Sequence, residues 1–201
     1  MSILSPVTEI LLPNADGTVN NWSPSTGSDI WALLDDYDPT SPSNTYATTT
    51  TLAANFIVGF PSLSVTSSDI VGGTLHSVAA YAYLYVNGGR HDSCDIRQIL
   101  NWNDDGSVSQ VGYINHLNVI SKWQGEPRLI YSENDADPSK VNDYEVETVY
   151  LTQSSSGLEV RVEHIWLEVK YTLKVNTYDD QFNRIIVTQG TSELTSGTIV
   201  I

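Results

Sequence analysis

From Ser77 to Val86 the side chains alternate with a period of two, placing Val78, Ala80, Ala82, Leu84 and Val86 on one face and Ala79, Tyr81, Tyr83 and Tyr85 on the other. That period is the signature of a β-strand. Because both faces are apolar or aromatic, the stretch reads as a central strand buried on both sides rather than as a tyrosine row offered to a partner. Turn signals recur along the rest of the chain: Asp16-Gly17, Ser23-Pro24, Asp38-Pro39, Gly72-Gly73, Asn87-Gly88-Gly89, Asp105-Gly106, Gln124-Gly125, Asp137-Pro138 and Ser156-Gly157. Short β-prone runs between such signals predict an all-β sandwich.

A second long strand is expected over Leu158 to Thr172, but its pattern changes phase. Leu158, Val160 and Val162 share one parity, and Ile165, Leu167, Val169 and Tyr171 share the other. A bulge near Glu163-His164 reconciles them and places Trp166 opposite Ile165 and Leu167, in the manner of the bent strands of jelly rolls. Helical periodicity is scarce: Asp143 to Gln153 fits two turns and Ile30 to Asp35 fits one. A boundary is expected near Thr172. This divides the chain into a sandwich over 1–172 and a C-terminal β arm or hairpin over 173–201, with alternating stretches at Arg184 to Thr188 and Thr195 to Ile201. Exposed β-branched segments invite pairing with another chain, so Arg184, Ile185, Ile186, Val187, Ile199, Val200 and Ile201 are the expected assembly contacts.

Charge narrows the partners. The chain carries 24 acidic and 9 basic residues, a net charge of −15, and residues 1–89 contain neither lysine nor arginine. Neutralising phosphates or holding an anionic membrane takes clustered cations, so neither nucleic acid nor membrane is an expected partner. The acidic excess keeps copies apart in solution. Hydrophobic residues at 40% against 16% charged exclude disorder. Cys94 is the only cysteine, so no intrachain disulfide and no cysteine-based metal site is available, and assembly in the cytoplasm is expected. No basic, apolar leader opens the sequence and no stretch of about 18 apolar residues occurs, so neither classical export nor anchoring is expected.

No catalytic signature is present. His76, His91, His116 and His164 are scattered without metal-ligand spacing, and no G-x-S-x-G, P-loop or G-x-G-x-x-G occurs. Asp35, Asp36, Asp38, Glu126 and Glu133 are the carboxylates a glycosidase would draw on, yet all sit in turn-like sequence where such residues bend and cap the backbone. Asn101-Trp102-Asn103-Asp104-Asp105-Gly106 opens like a calcium loop but has Gly112 where the closing glutamate belongs, so an Asp-Gly hairpin turn is the better reading. The clusters Asp35 to Asp38 and Asn134 to Asp137 are at most weak sites for a hard cation. No catalytic, cofactor or metal residue is therefore assigned. Of the tryptophans Trp22, Trp31, Trp102, Trp123 and Trp166, only Trp102 and Trp123 lie in polar, loop-like sequence, and they are the candidate ligand contacts, with core packing as the competing role.

Two stretches together resemble a known family. Leu11-Leu12-Pro13-Asn14-Ala15-Asp16-Gly17-Thr18, followed by Trp22-Ser23-Pro24-Ser25 and Ile30-Trp31-Ala32-Leu33-Leu34-Asp35-Asp36, and later Val160 to Tyr171, look like the opening and closing strands of jelly-roll virion proteins of tailed bacteriophages. The resemblance spans roughly Leu11 to Thr172 and stops at the tail. It implies a jelly-roll-like antiparallel sandwich and a non-enzymatic structural role in the virion, as a capsid decoration or cement protein or a tail-associated component. It also implies other virion proteins and copies of the chain, such as a homotrimer, as partners. The alternative is a jelly-roll module that binds host-surface carbohydrate through Trp102, Trp123 or exposed tyrosines.

Overall fold

The computed structural model describes residues 5–35, 37, 44–88, 92–104, 107–118 and 124–174, together with the pairs 178–179, 184–185, 188–189 and 192–193. In chain order the elements are β1 (Val7–Leu11), β2 (Ala15–Asn20), β3 (Ser23–Pro24), α1 (Trp31–Leu34), β4 (Ala47–Thr49), β5 (Asn55–Gly59) and β6 (Ser77–Asn87). There follow β7 (Ser93–Asp104), β8 (Ser107–Asn118), β9 (Gln124–Asn134), α2 (Pro138–Val141), β10 (Glu145–Gln153) and β11 (Glu159–Tyr171). No helix among the described residues is long and apolar enough to cross a membrane.

The strands form two antiparallel sheets over one shared core. The first runs β3-β4-β11-β6-β9 with β1 also on β11, and the second runs β2-β5-β10-β7-β8. Eight strands pair in a nested order, first with last and inward: β1 with β11, β5 with β10, β6 with β9 and β7 with β8. Apolar residues of both sheets meet in a single cluster that includes Phe56, Val58, Val78, Leu84, Ile96, Leu100, Val146, Tyr150, Val160 and Leu167. Each fully buried aliphatic side chain contributes roughly 1.5–3 kcal/mol, which is why the aliphatic face of each strand sets its orientation.

β6 sits between β11 and β9, as its pattern requires. Its aliphatic face is wholly buried, whereas on the tyrosine face Tyr83 is buried and Tyr81 and Tyr85 remain half-exposed. The phase change in β11 is a true register shift, between Val162 and His164 against β6. It lets one long strand serve two partners end to end on the same edge, β4 at Val160 to Val162 and β1 at Leu167 to Tyr171. Trp166 lies opposite Tyr81 and stacks on it at 5.3 Å, while Ile165 and Leu167 enter the core.

Several sequence expectations need correction. Asp143 to Gln153 is not a helix: Glu145 to Gln153 forms β10, paired on both sides by β5 and β7. Val146, Thr148 and Tyr150 are all fully buried there, so two-sided burial overrides a local pattern that fits either state. Three expected turns are strand. Ser23-Pro24 is β3, an edge strand where proline's missing N–H is tolerated. Gln124-Gly125 opens β9 opposite Val86 and Tyr85. Asp16-Gly17 lies within β2, where the glycine meets a packing need: a Cβ at Gly17 would sit 2.5 Å from Ile57 Cγ2.

Asp16 has a different task. Its carboxylate accepts hydrogen bonds from the backbone N–H of Ile30 at 3.2 Å and of Trp31 at 2.8 Å, capping α1 from another element because Ile30, at the cap position, has no side-chain oxygen to do it. Asp16→Ala is expected to cost about 1 kcal/mol, a fall in Tm of roughly 2–4 °C, with Asp16→Asn retaining most of the stability. Thermal denaturation of the three proteins checks it.

α1 itself matches the expected turn, and Asp137 caps α2 by accepting from Ser139 N–H at 2.8 Å. The positive φ of Gly72, Gly73 and Gly157 fits the turns expected there. β7 and β8 are paired up to Asp104 and Ser107, leaving two residues between them, as an Asp-Gly hairpin requires. Pairing also continues past Thr172: Leu173 bridges Ile70, and Lys174 N–H donates to the Asp69 carbonyl at 2.7 Å. Beyond that point, 178–179 pairs with 184–185 and 188–189 with 192–193. Ile186, Val187, Ile199, Val200 and Ile201, like Asp38-Pro39, lie outside the described residues.

Candidate functional site

A dense polar cluster closes one end of the sandwich. On β9 a register shift beside Tyr81 brings Tyr131 opposite Ala80 and Glu133 opposite Val78, so both side chains turn inward, and the small Ala80 leaves room for a ring. From the other side come Lys140 of α2, Tyr144 just before β10 and Trp102 of β7. Glu133 accepts hydrogen bonds from Lys140 Nζ at 2.8 and 2.9 Å, from the Tyr131 hydroxyl at 2.9 Å and from the Tyr144 hydroxyl. Lys140 Nζ also lies 4.2 Å from the centre of the Trp102 ring, which runs nearly parallel to Tyr131 and edge-on to Tyr144.

The electrostatics of this cluster hold charge still rather than poise it. Burial pushes the Glu133 carboxyl up, but the hydrogen bonds from Lys140, Tyr144 and Tyr131 outweigh it and leave the group below its ordinary value. Burial and the bond to Glu133 drive the Tyr144 hydroxyl far above the usual tyrosine range. A carboxylate fixed as ionised and a phenol fixed as protonated are suited to tying two sheets together.

Beside this cluster a cleft of about 340 Å³ opens at the end of the second sheet. Ala15, Gly59, Glu145 and Asn101 form one cross-strand row along it, and Asn14, Asn142 and Asp143 add to its rim. Phe60, Trp102 and Tyr144 also border it, but they share the parity of Val58, Leu100 and Val146, so their rings turn toward the core. Trp102 thus packs among Tyr131, Tyr144 and Lys140 while it also borders the cleft. Trp123 lies outside the described residues.

The remaining candidates are dispersed. Burial, reinforced by Asp95, pushes the Cys94 thiol up to about 12, which keeps it un-ionised and unreactive at neutral pH. His76 bonds the Thr172 hydroxyl at 2.7 Å, and His164 is buried against Tyr83. Asp35 ends α1. Asp36, Asp38, His91 and the side chains of His116 and Glu126 lie outside the described residues. Among the described residues no group of three His, Cys, Asp or Glu is placed to hold a metal ion.

Sequence reasoning marked Glu133 and Trp102 but missed Tyr131, Lys140 and Tyr144. The usable signal was Tyr131-x-Glu133, two residues that must share a strand face. A second polar group, on the first sheet, was also unforeseen: Glu159 accepts from Arg161 Nε at 2.8 Å, Thr48 Oγ1 at 3.1 Å and Asn87 Nδ2 at 3.2 Å, and the Arg161 guanidinium lies 4.0 Å from the Tyr46 ring centre. Both groups couple strands distant in sequence.

No protein-family model matches this sequence, and comparison with curated proteins finds no match.

Proposed function

We propose that this chain is a non-enzymatic structural protein of a tailed-phage virion, a capsid decoration or cement protein or a tail-associated component. The observation that carries the reading is the nested pairing of eight antiparallel strands, which supports a jelly roll: a hairpin of strands folded over so that its two halves face each other. Of the two stretches that resemble virion jelly rolls, the first begins at Leu11, which pairs with Leu167 of the second, and the Asp16 carboxylate within it caps the turn of helix at Trp31. Polar groups that elsewhere would invite chemistry are spent here on joining strands. A single buried thiol means that assembly needs no oxidising compartment, in keeping with assembly in the host cytoplasm. Other virion proteins and copies of the chain are the partners this role requires.

The test is immunogold labelling of gradient-purified particles with antiserum raised against the chain. Labelled particles with the gold at repeated positions are expected. Finding the protein in the soluble lysate and never on banded particles overturns the proposal.

A further inference from the structure

We propose that the edge of β8, which pairs with no described strand other than β7, is a self-association seam, at which two copies of this chain pair their β8 strands antiparallel and join their second sheets into one. An edge strand presents a row of N–H and C=O groups to any other strand, and folded proteins guard such edges with charge, proline, bulges or shortness. Every other described edge of the two main sheets is guarded. β9 carries Glu126, Pro127, Arg128 and Glu133 and a register break. β2 carries Asp16 and a break between Asp16 and Asn20. β3 is two residues long and contains Pro24, and β1 has five residues including Glu9.

β8 is different. Its 12 residues, Ser107 to Asn118, contain no Asp, Glu, Lys, Arg or Pro, and it follows β7 through twelve pairs with no register break. Ile114, opposite Arg97, is 63% exposed, the most of any large hydrophobic described. The occupant follows from charge and length. Two bodies of net charge −15 repel, so a copy docks along a stretch that adds no charge of its own. Among the described strands, the one that matches β8 in length, neutrality and open edge is β8 itself. The partner is therefore a second copy of this chain, related by a two-fold axis across the seam. The seam stands on β8 alone and is independent of the virion reading.

Analytical ultracentrifugation of the full chain and of Ile114→Glu tests it. The wild type is expected to form a dimer that strengthens as NaCl rises from about 0.05 to 0.5 M, because salt screens the mutual repulsion. Ile114→Glu, at an exposed position opposite Arg97, is expected to weaken dimerisation by about tenfold or more, because it brings further negative charge to the seam of two acidic bodies. Hydrogen exchange of the wild type at low and high protein concentration needs no variant, and amides of residues 107–118 are expected to slow selectively on concentration. A wild-type chain that stays monomeric, a trimer, or an association that leaves β8 exchange unchanged overturns the proposal.

Discussion

Phe56→Ala is expected to remove roughly 3–5 kcal/mol of stability, the largest loss among single substitutions considered for this chain. Phe56 is fully buried on β5, opposite Thr148 of β10, and meets the Trp22 ring edge-on at 5.0 Å. Trp22 is anchored in turn by its Nε1–H, which donates to the Ala54 carbonyl at 3.0 Å. Truncation removes the transfer free energy of the ring and opens a cavity that the facing sheet cannot close without breaking strand pairing. A domain of this size is stabilised by about 5–15 kcal/mol in all, so roughly a fifth or more of the margin goes. Urea denaturation followed by tryptophan fluorescence is the measurement, with a lower midpoint and an unchanged slope expected. Phe56→Leu, which keeps most of the volume, should cost about 1.5 kcal/mol or less. A loss below about 1 kcal/mol for the alanine variant would show that the ring is not part of the packed core.

Glu133→Ala comes next, at about 2–3 kcal/mol, because it strands one ammonium and two phenols that converge on the carboxylate. The accompanying pH signature distinguishes the electrostatic origin from simple loss of volume. Glu133 ionises more readily in the folded chain than in the unfolded one. Its contribution is therefore complete above the ordinary carboxyl value of 4.5 and fades as the pH falls through its lower, folded value. Asp69, Asp137 and Glu159 are lowered too, so the wild type loses stability on the acid side through several groups at once. Glu133→Gln should flatten that acid limb while leaving stability near neutral pH above that of the alanine variant. An acid limb as steep as that of the wild type would show that Glu133 is not held in its ionised form by Lys140, Tyr131 and Tyr144.

The candidate site shows where local reading stops. Glu133 and Trp102 stood out from the sequence, one as a carboxylate and the other as an aromatic in polar surroundings. What they do depends on Lys140 and Tyr144, which reach them only because α2 and the start of β10 fold over the end of β9. Trp102 looked like a surface ring, since Asn101, Asn103 and Asp104 surround it. Its parity with Leu100 turns it inward, and that parity acquires meaning only once β7 is known to face a second sheet.

Local chemistry was enough for the parts of the fold that one strand or turn decides by itself. The two-residue period of β6, the phase change that becomes the β11 register shift, the turn of helix after Ile30 and the glycine turns at Gly72-Gly73 and Gly157 are all properties of neighbouring residues, set by backbone sterics and side-chain alternation. The pairing of distant strands is of another kind. Whether Glu145 to Gln153 is strand or helix, whether Gly17 serves a turn or a close approach to Ile57, and which carboxylate meets which phenol depend on contacts between residues far apart in the chain. Those contacts form only when burying two apolar faces against each other outweighs the entropy of closing the intervening loops, and that balance belongs to the whole sandwich.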